Sequence, residues 1–168
     1  STSKKAKYIC EQAKKSSLYF RSATENAKLA SQILKNLILN RRNAIKVNGP
    51  NKYLSKWQKA EQKFVLANKS IENGNLERAK KLNIEATKDF NEIELLCIKD
   101  EFLSEAKLKI SLAKKEKADR YAQITLAQAQ KFLDMADQEL TIDRYNFDVV
   151  TNITNRSIER SAHAIFLS

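Results

Sequence analysis

Two stretches of this chain, 69 positions apart, share one spacing. Ala60-x3-Phe64-x2-Ala67-x3-Ile71 is followed by the turn Asn73-Gly74-Asn75, and Ala129-x3-Leu133-x2-Ala136-x3-Leu140 by Thr141-Ile142-Asp143-Arg144. Steps of four, three and four put all four residues of each copy on one face of a helix. The alanines admit a neighbouring helix closely, and the larger residues fill the gaps between them. Two helices of one design, each ended by a short connection, predict stacked helical hairpins and an internal duplication. Breakers are nearly absent elsewhere: 168 residues hold two glycines and one proline, placed at Gly49-Pro50 and Gly74. Ala, Leu, Lys, Glu, Gln and Ile dominate the rest, which predicts an all-helical fold.

The expected boundaries follow from periodicity. A first helix is predicted from about Lys4 to Val47. Ala6, Ala13, Phe20, Ala27 and Leu34 recur at seven-residue steps, interleaved with Ile9, Ser16, Ala23, Ala30, Leu37 and Ala44. A seam of that length reads as one straight helix packed coiled-coil fashion, its alanines favouring close antiparallel packing in a bundle. Asn48-Gly49-Pro50-Asn51 stops it, with Gly suited to the position after the helix end. The second helix spans about Tyr53–Glu72, with Trp57 its largest anchor. The third begins at Leu76 and runs to about Lys117. Its seam of Ala79, Leu82, Ala86, Phe90, Ile93 and Cys97 shifts near Asp100 to Leu103, Ala106, Ile110 and Ala113, a stutter or, alternatively, a break. A fourth helix from Tyr121 or Ile124 to Leu140 and a fifth from Arg144 to Phe166 complete the chain. The fifth turns Phe147, Val150, Ile153 or Thr154, Ser157, Ser161 and Ala164 inward. The expectation is one elongated antiparallel bundle of about five helices over 1–168, spectrin-like. Its sub-bundles, about 1–100 and 76–168, share the long third helix.

Charge is unevenly placed. The net charge of +11 arises mostly in residues 1–50, where eleven Lys or Arg face only Glu11 and Glu25 for a surplus of +9. A solvated lysine face accounts for this. So would a contact with anionic lipid headgroups, cell-wall polymer or an acidic protein. Nucleic-acid binding is the rival, although aromatic interleaving, Arg-rich patches and a recognition-helix motif are missing. No stretch approaches the roughly 18 apolar residues that would span a bilayer. Cys10 and Cys97 lie on separate predicted helices without a CxxC. They read as two buried free thiols, while a disulfide would need their Cα atoms within about 7 Å.

Two resemblances add context. Leu66-Ala67, Gly74-Asn75-Leu76-x2-Ala79 and Ala86 resemble a degenerate tetratricopeptide hairpin, departing from that signature at Lys63, Ser70 and Asn91. A second resemblance covers about Trp57–Leu167. It rests on Ala118-x2-Tyr121-Ala122, Leu126-x2-Ala129-x3-Leu133-x2-Ala136-x3-Leu140-x3-Arg144-Tyr145 and Ser161-Ala162-His163-Ala164. These resemble an Ala-rich helical domain that precedes OmpA-like or LysM domains in bacterial envelope lipoproteins; Gln123 stands where that family usually has Pro. The Lys, Asn and Ile bias looks most like borrelial periplasmic members with a C-terminal LysM domain, associated with outer-membrane integrity and cell fission. The resemblance implies a periplasmic setting, a membrane anchor in the full-length protein and another envelope protein as partner. Peptidoglycan would then be bound only through a domain outside these residues.

Catalytic chemistry is not expected. His163 is the only histidine, and no Ser, Cys or carboxylate is spaced to form a triad with it. Glu92/Glu94 and Asp134/Asp137 read as solvated helix positions. HExxH, EF-hand and Glu-x2-His motifs are missing, as are Gly-rich phosphate loops, so no cofactor or metal is expected. Tyr53, Trp57, Tyr121 and Tyr145 read as anchors with a wet polar tip at helix ends. The sharper reading makes Tyr53 and Trp57, with Arg41 and Arg42 of the basic helix, contact residues for a partner protein.

Overall fold

A computed structural model describes the backbone of residues 2–168 and the side chains of residues 4–168. All regular structure among these residues is helical: α1 (Thr2–Ile33), α2 (Lys35–Lys46), α3 (Gly49–Lys52), α4 (Leu54–Glu72), α5 (Leu76–Lys115), α6 (Ala118–Tyr121), α7 (Gln123–Ile142) and α8 (Phe147–Phe166). Eight helices replace the expected five for two reasons. The first expected helix is interrupted at Leu34, although the Leu34 amide still donates to Ala30 O (2.8 Å) and the Ile38 amide to Leu34 O (2.9 Å). The connections also wind into single turns, α3 and α6. Asn48, not Gly49, takes the left-handed position after α2, with φ 64°. Asn tolerates that conformation, and Pro50 then falls in the first turn of α3, where its missing N–H costs nothing.

The chain forms two compact units. One comprises Ser1–Lys46 and Tyr53–Asn91. Its buried apolar residues are Leu34 and Leu37, Ala44 of α2, Trp57, Ala60, Ala67 and Ile71 of α4, and Ala79, Ala86 and Phe90 of α5. The first repeat is therefore buried except for the half-buried Phe64. Gly74 has φ 73°, a left-handed value that lets the chain reverse between α4 and α5 in three residues.

The other unit comprises Val47–Lys52 and Glu92–Ser168. Both seams of the expected third helix are buried apart from the half-buried Leu82, and α5 runs unbroken through Asp100 for 40 residues, so the stutter and not the break is observed. Ile98, which belongs to neither seam, is buried at the change of register. The second repeat is buried throughout: Ala129, Leu133, Ala136 and Leu140. It packs against Val150, Thr154, Ser157, Ser161 and Ala164 of α8. Contact is close enough for the Ser157 hydroxyl to donate to Ala129 O of α7 at 2.8 Å. Phe147, expected inward, is partly exposed and stacks on Phe102 with ring centroids 4.9 Å apart.

Candidate interaction surfaces

The contact residues expected from the sequence divide once they are placed. Trp57 is only 9% exposed and meets Phe90 edge to face at 5.0 Å. It anchors the core of its unit, as the anchor reading expects, and offers little surface to a partner. Arg41 lies beside it, on α2. Its guanidinium sits 5.5 Å from the Trp57 ring centroid and 5.6 Å from that of Phe64. It also grips the Glu61 carboxylate through two nitrogens, Nη2 donating to Oε2 at 3.1 Å. A guanidinium stacked on two rings and paired with a carboxylate is committed to fastening α2 onto α4. Tyr53 is half-buried just ahead of α4. Arg42 alone of the four is exposed. Of the four, the structure brings Arg41 and Trp57 together.

The free surface is elsewhere, on α1. Every described side chain from Lys4 to Glu25 is exposed. Tyr8 (62%), Ile9 (58%), Tyr19 (75%) and Phe20 (73%) stand open, with Leu18 on the opposite side. The seven-residue seam is thus real as a helical pattern, but only its C-terminal end, half-buried at Ala30 and buried at Leu34 and Leu37, is packed. This corrects the expected continuous packing, and the reason is length. A partner helix of 19 residues, α4, spans about 29 Å, whereas a helix from residue 4 to 47 spans about 66 Å. Where α4 ends, a groove of about 650 Å³ opens between α1 and α4, lined by Tyr19, Ala23, Ala27, Ala30, Asn68 and Ile71 among others.

Two polar clusters leave no signal in residue spacing, one buried at Glu94, which the sequence reads as solvated, and one half-exposed around Lys63. Glu94, 3% exposed, receives the Tyr145 hydroxyl at 2.6 Å and Arg144 Nη1 at 2.9 Å. The turn between α7 and α8 is thereby fixed to α5. The Asp143-Arg144-Tyr145 turn was visible in the sequence, but its buried carboxylate partner, 50 residues away, left no local signal. On the other unit, Lys63 reaches Asp89 at 2.7 Å and Glu85 at 3.7 Å. The hydrogen bond to Asp89 is the main reason its ammonium is held above its usual 10.5. Burial pushes the Cys97 thiol up from its usual 9.0. Cys10 and Cys97 are both free; Cys97 is buried and Cys10 exposed, correcting the expectation of two buried thiols.

His163 is exposed, its ring 6.5 Å from that of Phe166. Among the described residues no group of three or more His, Cys, Asp or Glu could hold a metal ion. No helix there is long and apolar enough to cross a membrane. No family model, curated protein or solved structure matches the chain.

Proposed function

We propose that this chain is a non-enzymatic protein–protein interaction and scaffold module of a periplasmic envelope lipoprotein, supporting outer-membrane integrity and cell division. The observation that carries the interaction role is the run of more than 20 exposed residues on α1, with three large side chains, Ile9, Tyr19 and Phe20, on or beside one seam. Surface of that kind marks docking sites. The envelope setting rests on the resemblance of Trp57–Leu167 to Ala-rich lipoprotein domains. The finer architecture we propose is spectrin-like, the helix α5 supplying core residues to both units.

Two measurements test this. A compact domain of 168 residues has a radius of gyration near 15 Å by the usual size scaling, so small-angle scattering giving about that value would rule out an elongated bundle. Affinity capture from a spirochaete envelope extract is expected to recover one envelope protein. The purified partner should rebind with little change on raising the salt above about 0.15 M. A second reading is favoured by Lys4, Lys5, Lys7, Lys14 and Lys15, all exposed on α1: a basic helical module for nucleic acid or another anionic polymer. Binding to unrelated DNA and to heparin, with affinity dropping steeply as salt rises, would replace the first reading by the second.

A further inference from the structure

We propose that α1 is a self-association element, two copies of this chain pairing antiparallel through residues 6–23. This goes beyond the functional reading above and does not rest on it. Four observations carry it.

The seam is the same one that packs inside the chain. Ala27, Ala30, Leu34 and Leu37 continue it without change of spacing, and Leu34 and Leu37 are fully buried. Residues 6–23 thus present a helix-packing face whose partner within the unit has run out.

The face is built for a helix and not for lipid. Ala6, Ala13, Ser16 and Ala23 are small, which lets a second backbone come close but inserts little into a bilayer. Lys7, Lys14, Arg21 and Lys28 each follow the seam row Ala6, Ala13, Phe20, Ala27 by one position. One residue is a rotation of about 100°, so these cations lie well away from the seam. A helix resting its seam on a membrane would aim them at water.

The pattern matches its own reverse. Pairing Ala6 with Ala23′, Ile9 with Phe20′ and Ala13 with Ser16′, the prime marking the second copy, sets large against large and small against small. Reading the seam backwards returns the same order of sizes, as a two-fold contact requires. Covering Ile9, Tyr19 and Phe20 on both copies, with the alanines between them, removes on the order of 1,000 Å², the lower bound for a specific association.

Charge does not oppose it. The positions flanking the seam are Cys10, Ser17 and Thr24 on one side and Lys5, Gln12, Tyr19 and Asn26 on the other. In this register Lys5 meets Asn26′ and Gln12 meets Tyr19′, so a chain of net charge +11 brings no like charges together at the contact. Ala6′ arrives beside Ala23, which lines the open groove at the end of α4.

The test uses the whole chain. Light scattering coupled to gel filtration is expected to give twice the 19.2 kDa of one copy as concentration rises. Ile9→Glu with Phe20→Glu should return it to 19.2 kDa. Both sites are exposed, so circular dichroism should show the fold intact. In a Cys10→Ser background, Ala6→Cys with Ala23→Cys should oxidise to a covalent dimer, while Ala6→Cys alone should not. In the antiparallel register the two copies of position 6 stand about 25 Å apart. The proposal is overturned by any of four results. These are a single copy at every concentration, a dimer indifferent to the glutamates, dimer formation by Ala6→Cys alone, or a single copy that instead sediments with phosphatidylglycerol vesicles through the same seam. Loss of the dimer with capture of an envelope protein intact would sink this inference and leave the functional reading standing.

Discussion

Glu94 shows what a single buried charge does here. It is 3% exposed and takes one hydrogen bond from a hydroxyl and one from a guanidinium. Tyr145→Phe removes the hydroxyl and should cost about 1 kcal/mol in urea unfolding. Arg144→Met leaves the carboxylate without its cation and should cost about 3 kcal/mol. Equal effects of the two changes would show that the charge is solvated after all. Two other residues tie stability to alkaline pH. Lys63 is held above its ordinary 10.5 by Asp89, so its contribution is full below that value and fades as pH rises through the raised value. Cys97 is pushed above its ordinary 9.0 by burial. The unfolded chain therefore loses that proton first, and stability falls as pH rises past 9.0. Denaturant midpoints are expected to be level below about pH 9 and to decline above it, and the decline should be shallower in Cys97→Ala.

The helices themselves were largely legible. Periodicity located the starts and ends of α4, α5 and α7 to within a few residues, because seams such as Ala79 to Ala113 leave only one helical face to bury. The one-turn helices α3 and α6 were not, since four residues carry no period. Nor was the choice of Asn48 over Gly49 for the left-handed position, which depends on where Pro50 must sit. The exposure of α1 was legible in principle: helix lengths alone show that α4 cannot cover it. What residue spacing cannot reveal is a side chain's distant partner, and that is why Trp57 and Arg41 read as surface contacts. The alanine stripe of α7 gives a prediction at this scale. Ala129→Leu should destabilise by about 1–3 kcal/mol, because α8 lies against it and has no room to retreat. Ala127→Leu, at an exposed position of the same helix, should change the melting temperature little. If the two behaved alike, α7 and α8 would not be closely packed in solution.

For the whole molecule, the uneven charge gains a physical account. The lysines at Lys7, Lys14 and Lys28 and the arginine at Arg21 are exposed and stand off the apolar seam of α1, so its charge is hydrated whether or not the seam is covered. Each unit closes its core mainly from helices adjacent in sequence, a topology that folds quickly. The two thiols fall one to each unit, Cys10 open and Cys97 closed. A thiol reagent should therefore modify the folded protein in two steps: Cys10 at once, and Cys97 only when its unit opens. The ratio of the second rate to that of an unfolded thiol is an opening constant. If both thiols reacted together, the closed state of Cys97 would be refuted. Otherwise the sulfur of Cys97 is a clock already installed in the chain, timing the breathing of one half of the protein without a label, a ligand or an assay of activity.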